Sequence, residues 1–146
     1  MKLTNTLFKR ILLSMGFLLC AMGISAQEQH GFDLDGYTPK LIKFTSEQDA
    51  IALTQKGPVV YFFAAHWCPD CHLNYENLRA NTYRLPSNLS IIFVDFDSSA
   101  ALRKKLGVPI QSVYVQITSD GSRLKSWVGG GSQGVIKNLV TTPRKS

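Results

Sequence analysis

Apolar and polar positions divide the chain into a leader, an aperiodic approach and a folded body. Ile11 to Ile24 form an uncharged, mostly apolar run of 14 positions behind Lys2, Lys9 and Arg10, and Ser25 and Ala26 place small residues after it. That is the pattern of an export signal over residues 1–26, with cleavage expected after Ala26. The run falls short of the roughly 20 residues that cross a bilayer, so an uncleaved anchor is the weaker reading. Residues 27–40 carry Gly31, Gly36 and Pro39 without periodicity and are expected to be a flexible approach segment. From Leu41 the pattern becomes regular. Leu41 to Phe44 reads as a short strand, and Thr45 or Ser46 can cap a helix through Ala50, Ile51 and Leu53 that Gly57-Pro58 stops. Val59 to Ala65 is an unbroken β-branched and aromatic run, the mark of a strand buried on both faces. Leu73, Tyr75 and Leu78 predict a helix from Cys71 to Leu85, closed by Pro86. Ile91 to Phe96 reads as a second buried strand, followed by a helix from Ser98 to Leu106 that Gly107 ends. Val113 to Thr118 and Arg123 to Val128 form a hairpin about Ser119-Asp120-Gly121, and Ser132 caps a last helix over Gln133 to Thr141. The order βαβαβαββα predicts an α/β domain over 41–141, a central mixed sheet flanked by helices, with 142–146 as a tail.

Composition narrows the function. The 146 residues suit one domain, and 45% hydrophobic residues with a mean hydropathy of -0.00 are those of a globular protein. The net charge of +6 invites a nucleic-acid reading, but three positive charges belong to the leader. Without them 13 Lys and Arg face 10 Asp and Glu, a balance of +3, and the largest basic cluster is Arg103-Lys104-Lys105, a solvated helix face. Nucleic acid is not an expected partner. Cys20 lies in the leader behind Leu18 and Leu19, where lipid attachment wants small residues, so lipidation is not expected. Cys68 and Cys71 remain, in a compartment expected to be oxidising.

Trp67-Cys68-Pro69-Asp70-Cys71 falls where the central strand ends and a helix begins. A thiol at a helix N-terminus faces unpaired backbone N–H groups and the positive end of the helix dipole, both of which favour its thiolate. Cys68 is therefore the expected nucleophile. Cys71, one turn deeper on the same side, is placed to attack the mixed disulfide that Cys68 forms.

From about Leu41 to Val140 the chain resembles the thioredoxin family. The resemblance rests on Trp67-Cys68-x-x-Cys71 at a strand-to-helix turn, Val94-Asp95-Phe96-Asp97, Gly107-Val108, Gly121 in the hairpin and Val128-Gly129 before a final helix. It implies a thioredoxin fold and thiol-disulfide exchange without a cofactor. With the export signal, the chain is similar to extracytoplasmic thioredoxin-like proteins that handle disulfides of exported proteins or cytochrome c precursors.

The departures from that family are informative. Its buried Asp, six residues ahead of the first Cys, is Phe62 here; a neighbouring Lys is Phe93, and the Pro that kinks the motif helix is Glu76. Proton help for the pair is then expected from water, Glu76 or Asp70, or to be weak. A carboxylate at Asp70 disfavours a second negative charge and tilts the reading towards a reductant, with a modest electrostatic effect from His72. The family's cis-Pro position falls at Ser112, with a re-registered Pro109 as the alternative. A non-proline cis bond costs roughly 3 kcal/mol, so a trans bond and an altered groove are expected at Ser112. Trp67, Pro69, Gln111 and Ser112 are expected to line the groove that docks an extended substrate segment.

Cys68-Pro69-Asp70-Cys71-His72 is also a literal haem-attachment motif, but Met1, Met15 and Met22 all lie in the leader, leaving no methionine as a second axial ligand. A zinc site from Cys68, Cys71, His72 and His66 is too tightly spaced for easy tetrahedral closure. No metal and no cofactor are expected. The reading is an exported, periplasmic or otherwise extracytoplasmic monomer that reduces protein disulfides through Cys68/Cys71 exchange, forming a Cys68–Cys71 disulfide that a membrane-bound partner recycles. The alternative is a noncatalytic adaptor in envelope or secretion assembly, with that disulfide purely structural. Phe62, Phe63, Phe93 and Phe96 are expected in the core.

Overall fold

The computed structural model describes Phe32, Leu34 and residues 41–141. The leader with Cys20 and the cut after Ala26, the rest of the 27–40 segment and the 142–146 tail lie outside the described residues. The element order is β1 (Leu41–Lys43), α1 (Glu47–Leu53), β2 (Val59–Ala64), α2 (Pro69–Ala80), β3 (Ser90–Asp95), α3 (Ala100–Leu106), β4 (Val113–Ile117), β5 (Arg123–Val128) and α4 (Gly131–Asn138), with a 3-10 turn at Thr82–Arg84. This is the predicted βαβαβαββα order. The strands form one mixed sheet in the order β1-β3-β2-β4-β5. β1, β3 and β2 run parallel, whereas β4 pairs antiparallel with β2 and with β5.

β2 lies at the centre of that sheet, and every residue of it is buried. Its aromatic run pays no polar penalty because neighbouring strands take up the backbone groups while both faces are covered. Phe62 stacks on Tyr114 of β4 with ring centroids 4.4 Å apart and meets Phe93 of β3 edge-on at 5.1 Å. Tyr114 stacks in turn on Trp127 of β5 at 5.5 Å. Phe62, Phe63, Phe93 and Phe96 all belong to the core.

Helix boundaries depart from the sequence reading for local reasons. α2 starts at Pro69, two residues early, because Cys68 serves as its N-cap and proline suits the first helical position. It ends at Ala80 rather than Leu85: the Asn81 side chain donates to the Asn77 carbonyl, and the chain tightens into the 3-10 turn. α3 starts at Ala100, since the Ser98 N–H and hydroxyl both donate to Asp95 Oδ1 and hold that stretch as a turn. α4 ends at Asn138 because Gln116 pairs with the Val140 backbone through both its amide atoms, at 2.8 Å each, and draws the chain out of the helix. Ser46 caps α1, accepting from Asp49 N–H at 3.1 Å. Among the described residues no helix is long and apolar enough to cross a membrane.

Candidate active site

β2 delivers the chain to the site. After Ala64 the Cys68 N–H donates to the Ala65 carbonyl at 3.1 Å, closing a turn that sets Cys68 at the mouth of α2. Cys68 has extended backbone (φ -92°, ψ 110°), and its sulfur accepts from the Cys71 N–H at 3.2 Å. The cysteine thus takes the position of a capping Ser or Asp, so one orphan N–H of the helix and its dipole solvate negative charge on Sγ. Both cysteines are free thiols here, so this is the dithiol form. Both cysteines are buried, Cys68 at 4% exposed and Cys71 at 0%, so Cys68 at the helix mouth is the less enclosed of the two.

Cys71 is held protonated. Its thiol is pushed up to about 11, first by burial and then by its hydrogen bond to Cys68, with the Cys68 charge adding to the rise. A backbone hydrogen bond at Ala65 and the Ser112 side chain work in the opposite direction. Ser112, on the approach to β4, is thus a polar neighbour of the Cys71 thiol. It is 5% exposed, with a left-handed backbone (φ 62°) unusual for serine. Its N–H donates to the Phe63 carbonyl at 2.8 Å and its carbonyl accepts from the Gly129 N–H at 2.8 Å. Both backbone groups are thus spent inside the protein, and Ser112 supports the groove from beneath instead of lining it. Trp67, 54% exposed, and Pro69 form the accessible rim, with Gln111 half-buried and Ile110 exposed on the neighbouring loop. The Trp67 indole donates to Asp97 Oδ2 at 2.8 Å, fixing this rim to the end of β3.

Asp70 and Glu76 are exposed on α2, and neither is among the groups that shift Cys71. The His72 ring reaches the His66 carbonyl at 2.6 Å and packs against Phe32 at 5.0 Å. Phe32 also stacks on His66 at 5.4 Å and meets Tyr75 and Phe93, so a residue ahead of the first strand covers this flank. His66 Nε2 lies 3.7 Å from Asp95. Burial opposes ionisation of Asp95, but the Ser98 hydrogen bonds and His66 outweigh it and hold the carboxyl below its usual range. Among the described residues no cluster of three or more His, Cys, Asp or Glu side chains is placed to hold a metal ion.

Sequence reasoning missed Asn74 and Tyr114. Asn74 lies three residues after Cys71, on its helix face; its Nδ2 donates to Ser112 Oγ at 3.2 Å, and its Oδ1 accepts from Tyr114 Oη at 3.3 Å and from the Gly131 N–H at 2.7 Å. Burial, together with the nearby Cys71, holds the Tyr114 phenol protonated well above the usual tyrosine range. The helical spacing Cys71, Asn74 and the strand spacing Ser112, Tyr114 were the available signals.

No family model matches the chain. A thioredoxin of Aspergillus fumigatus is 28% identical over 89 residues, 61% of this chain and 81% of that protein. Among solved structures, Trxlp from Edwardsiella tarda superposes with a TM-score of 0.53 at 21% identity, covering 66% of this chain and 94% of that one. A thioredoxin from Nicotiana alata gives a TM-score of 0.55 at 17% identity, covering 69% and 94%. These likenesses show the thioredoxin fold.

Proposed function

We propose that this chain, a thioredoxin-like thiol-disulfide oxidoreductase, reduces disulfides of proteins outside the cytoplasm. The observation that carries the reading is the pairing of Cys68, at the helix mouth with its sulfur accepting from the Cys71 N–H, with a fully buried, protonated Cys71 one turn below it. The Cys68 thiolate attacks one sulfur of a partner disulfide. The partner's other sulfur leaves as a thiolate, and a mixed disulfide joins the two proteins. Cys71 loses its proton and attacks Cys68 Sγ, forming the Cys68–Cys71 disulfide and expelling the second partner sulfur as a thiolate. Two electrons have passed to the partner, whose thiolates take protons from water.

The export signal read from residues 1–26 supports an extracytoplasmic location, periplasmic in a cell with two membranes. A reductant there needs electrons from elsewhere, so a membrane-bound thiol-disulfide partner is the expected source. The rim of Trp67 and Pro69 beside Cys68 supports protein disulfides as substrates, since an apolar surface there suits an extended segment. A redox titration of the purified chain in glutathione or dithiothreitol buffers, followed by alkylation and mass, tests this. A reversible two-electron transition below about -220 mV is the expected result, and one above about -150 mV makes the chain an oxidant. A pair that fails to exchange within hours, with function surviving Cys68→Ser, replaces the enzyme by the adaptor.

A further inference from the structure

We propose that His72 is a positioning residue for the Cys68 sulfur: its imidazole clasps the His66 carbonyl across the stretch that holds both cysteines, and Phe32 keeps it there. The inference rests on the oxidoreductase reading and adds to it two residues that set the redox balance of the pair.

The His72 ring approaches the His66 carbonyl through Nε2, at 2.6 Å. A carbonyl can only accept, so Nε2 carries a hydrogen and donates. The bond joins residues six apart and brackets both sulfurs, since His66 precedes Trp67-Cys68 and His72 directly follows Cys71. It therefore ties the first turn of α2 to the loop that leaves β2. Inside the bracket the Cys71 N–H is shared between the Cys68 sulfur at 3.2 Å and the Cys68 carbonyl at 3.1 Å. Its aim at the sulfur depends on how α2 is turned against that loop, which is what the clasp fixes.

Phe32, from ahead of β1, holds the clasp from outside. Its ring stacks on His66 at 5.4 Å and packs against His72 at 5.0 Å, so it touches both partners. Tyr75 of α2 at 5.3 Å and Phe93 of β3 at 5.5 Å hold the Phe32 ring in turn. Leu34 packs against the core as well and anchors this stretch at a second point. Turning the imidazole away would break its contact with Phe32 together with the hydrogen bond.

The consequence is for the redox balance. The Cys71 N–H stabilises the Cys68 sulfur strongly only while that sulfur carries charge, which happens in the dithiol form. In the Cys68–Cys71 disulfide the same sulfur is neutral and a weak acceptor. The clasp thus favours the dithiol form, and its loss favours the disulfide.

Equilibration of the full chain with glutathione and glutathione disulfide tests this. Two electrons pass from the pair to glutathione disulfide, giving the Cys68–Cys71 disulfide and two glutathione thiols, and alkylation with mass counts each form. His72→Phe keeps a ring against Phe32 but removes the donor. It is expected to shift the equilibrium constant about tenfold toward the disulfide, about 30 mV in the reducing direction. His72→Gln restores an N–H donor without an imidazole charge and is expected to recover most of that shift. Phe32→Ala should move the balance in the same direction as His72→Phe, and the double variant no further than His72→Phe alone. An unmoved potential in His72→Phe overturns the proposal. Equal shifts in His72→Phe and His72→Gln also overturn it, because they assign the effect to the imidazole charge. Additive shifts in the double variant overturn the role of Phe32. Should His72→Phe fail to unfold cooperatively, Phe32→Ala, which leaves residues 66–72 unaltered, decides, and an unmoved potential there overturns the proposal. A pair in the unaltered chain that never exchanges with glutathione would instead defeat the oxidoreductase reading.

Discussion

Phe62 shows how a single side chain sets the chemistry available to the pair. It is fully buried and stacked on Tyr114, with Phe93 against its edge, so a carboxylate here would sit among aromatic rings. Phe62→Asp would bury an unpaired charge, and is expected to destabilise the protein by about 3–5 kcal/mol in urea unfolding without accelerating exchange. A variant of unchanged stability that resolves faster would show instead that the site accepts an acid there. The sequence made Phe62, Cys68, Cys71 and Trp67 legible because each lies within six residues of the motif on one strand or helix. Ser112 was reached only by counting from Gly107 and the hairpin. Asn74 could not be chosen among the polar residues of α2, since its partners Ser112 and Tyr114 lie 38 and 40 positions away.

At the scale of elements, α2 both carries the cysteines and caps α4. Gly130 stands at the N-cap of α4 in a left-handed conformation and has no side chain to offer the first N–H groups. Asn74 Oδ1 accepts from the Gly131 N–H, while Asn77 Oδ1 accepts from the Ser132 N–H at 2.9 Å and its hydroxyl at 2.8 Å. The cap therefore comes from another helix. A Cβ at Gly131 would lie 2.4 Å from Asn77 Oδ1, so glycine is what lets the two helices close on each other. Asn77→Ala is expected to cost about 1–2 kcal/mol, the size of a lost N-cap, read as a lower urea midpoint at unchanged slope. Sequence reasoning gave Ser132 the capping role because Ser before a helical run is the local signal. The structure reverses it: Ser132 lies inside α4 and is itself held by Asn77.

For the molecule as a whole, the buried thiol links redox state to stability. Cys71 has an ordinary value of 9.0 and is pushed up to about 11 by burial and Cys68. Below pH 9 it is protonated in both folded and unfolded chains, and its contribution to stability is fully present. Between pH 9 and 11 the unfolded chain releases the proton while the folded one retains it, so stability falls as pH rises through this window. The disulfide form has neither thiol to titrate, and the groups common to both forms cancel in the comparison. Urea midpoints of the dithiol form are therefore expected to drop relative to the disulfide form between pH 9 and 11; parallel curves would mean that Cys71 is solvated. The sequence by itself determined the βαβαβαββα order and the placing of Cys68 at a helix mouth, because strand burial, helix capping and turn chemistry are local and leave their period in the chain. Only the tertiary structure decided what surrounds Cys71. Its environment is assembled from α2, the start of β4 and the glycines before α4, brought together by sheet register and helix packing that no short stretch of sequence encodes.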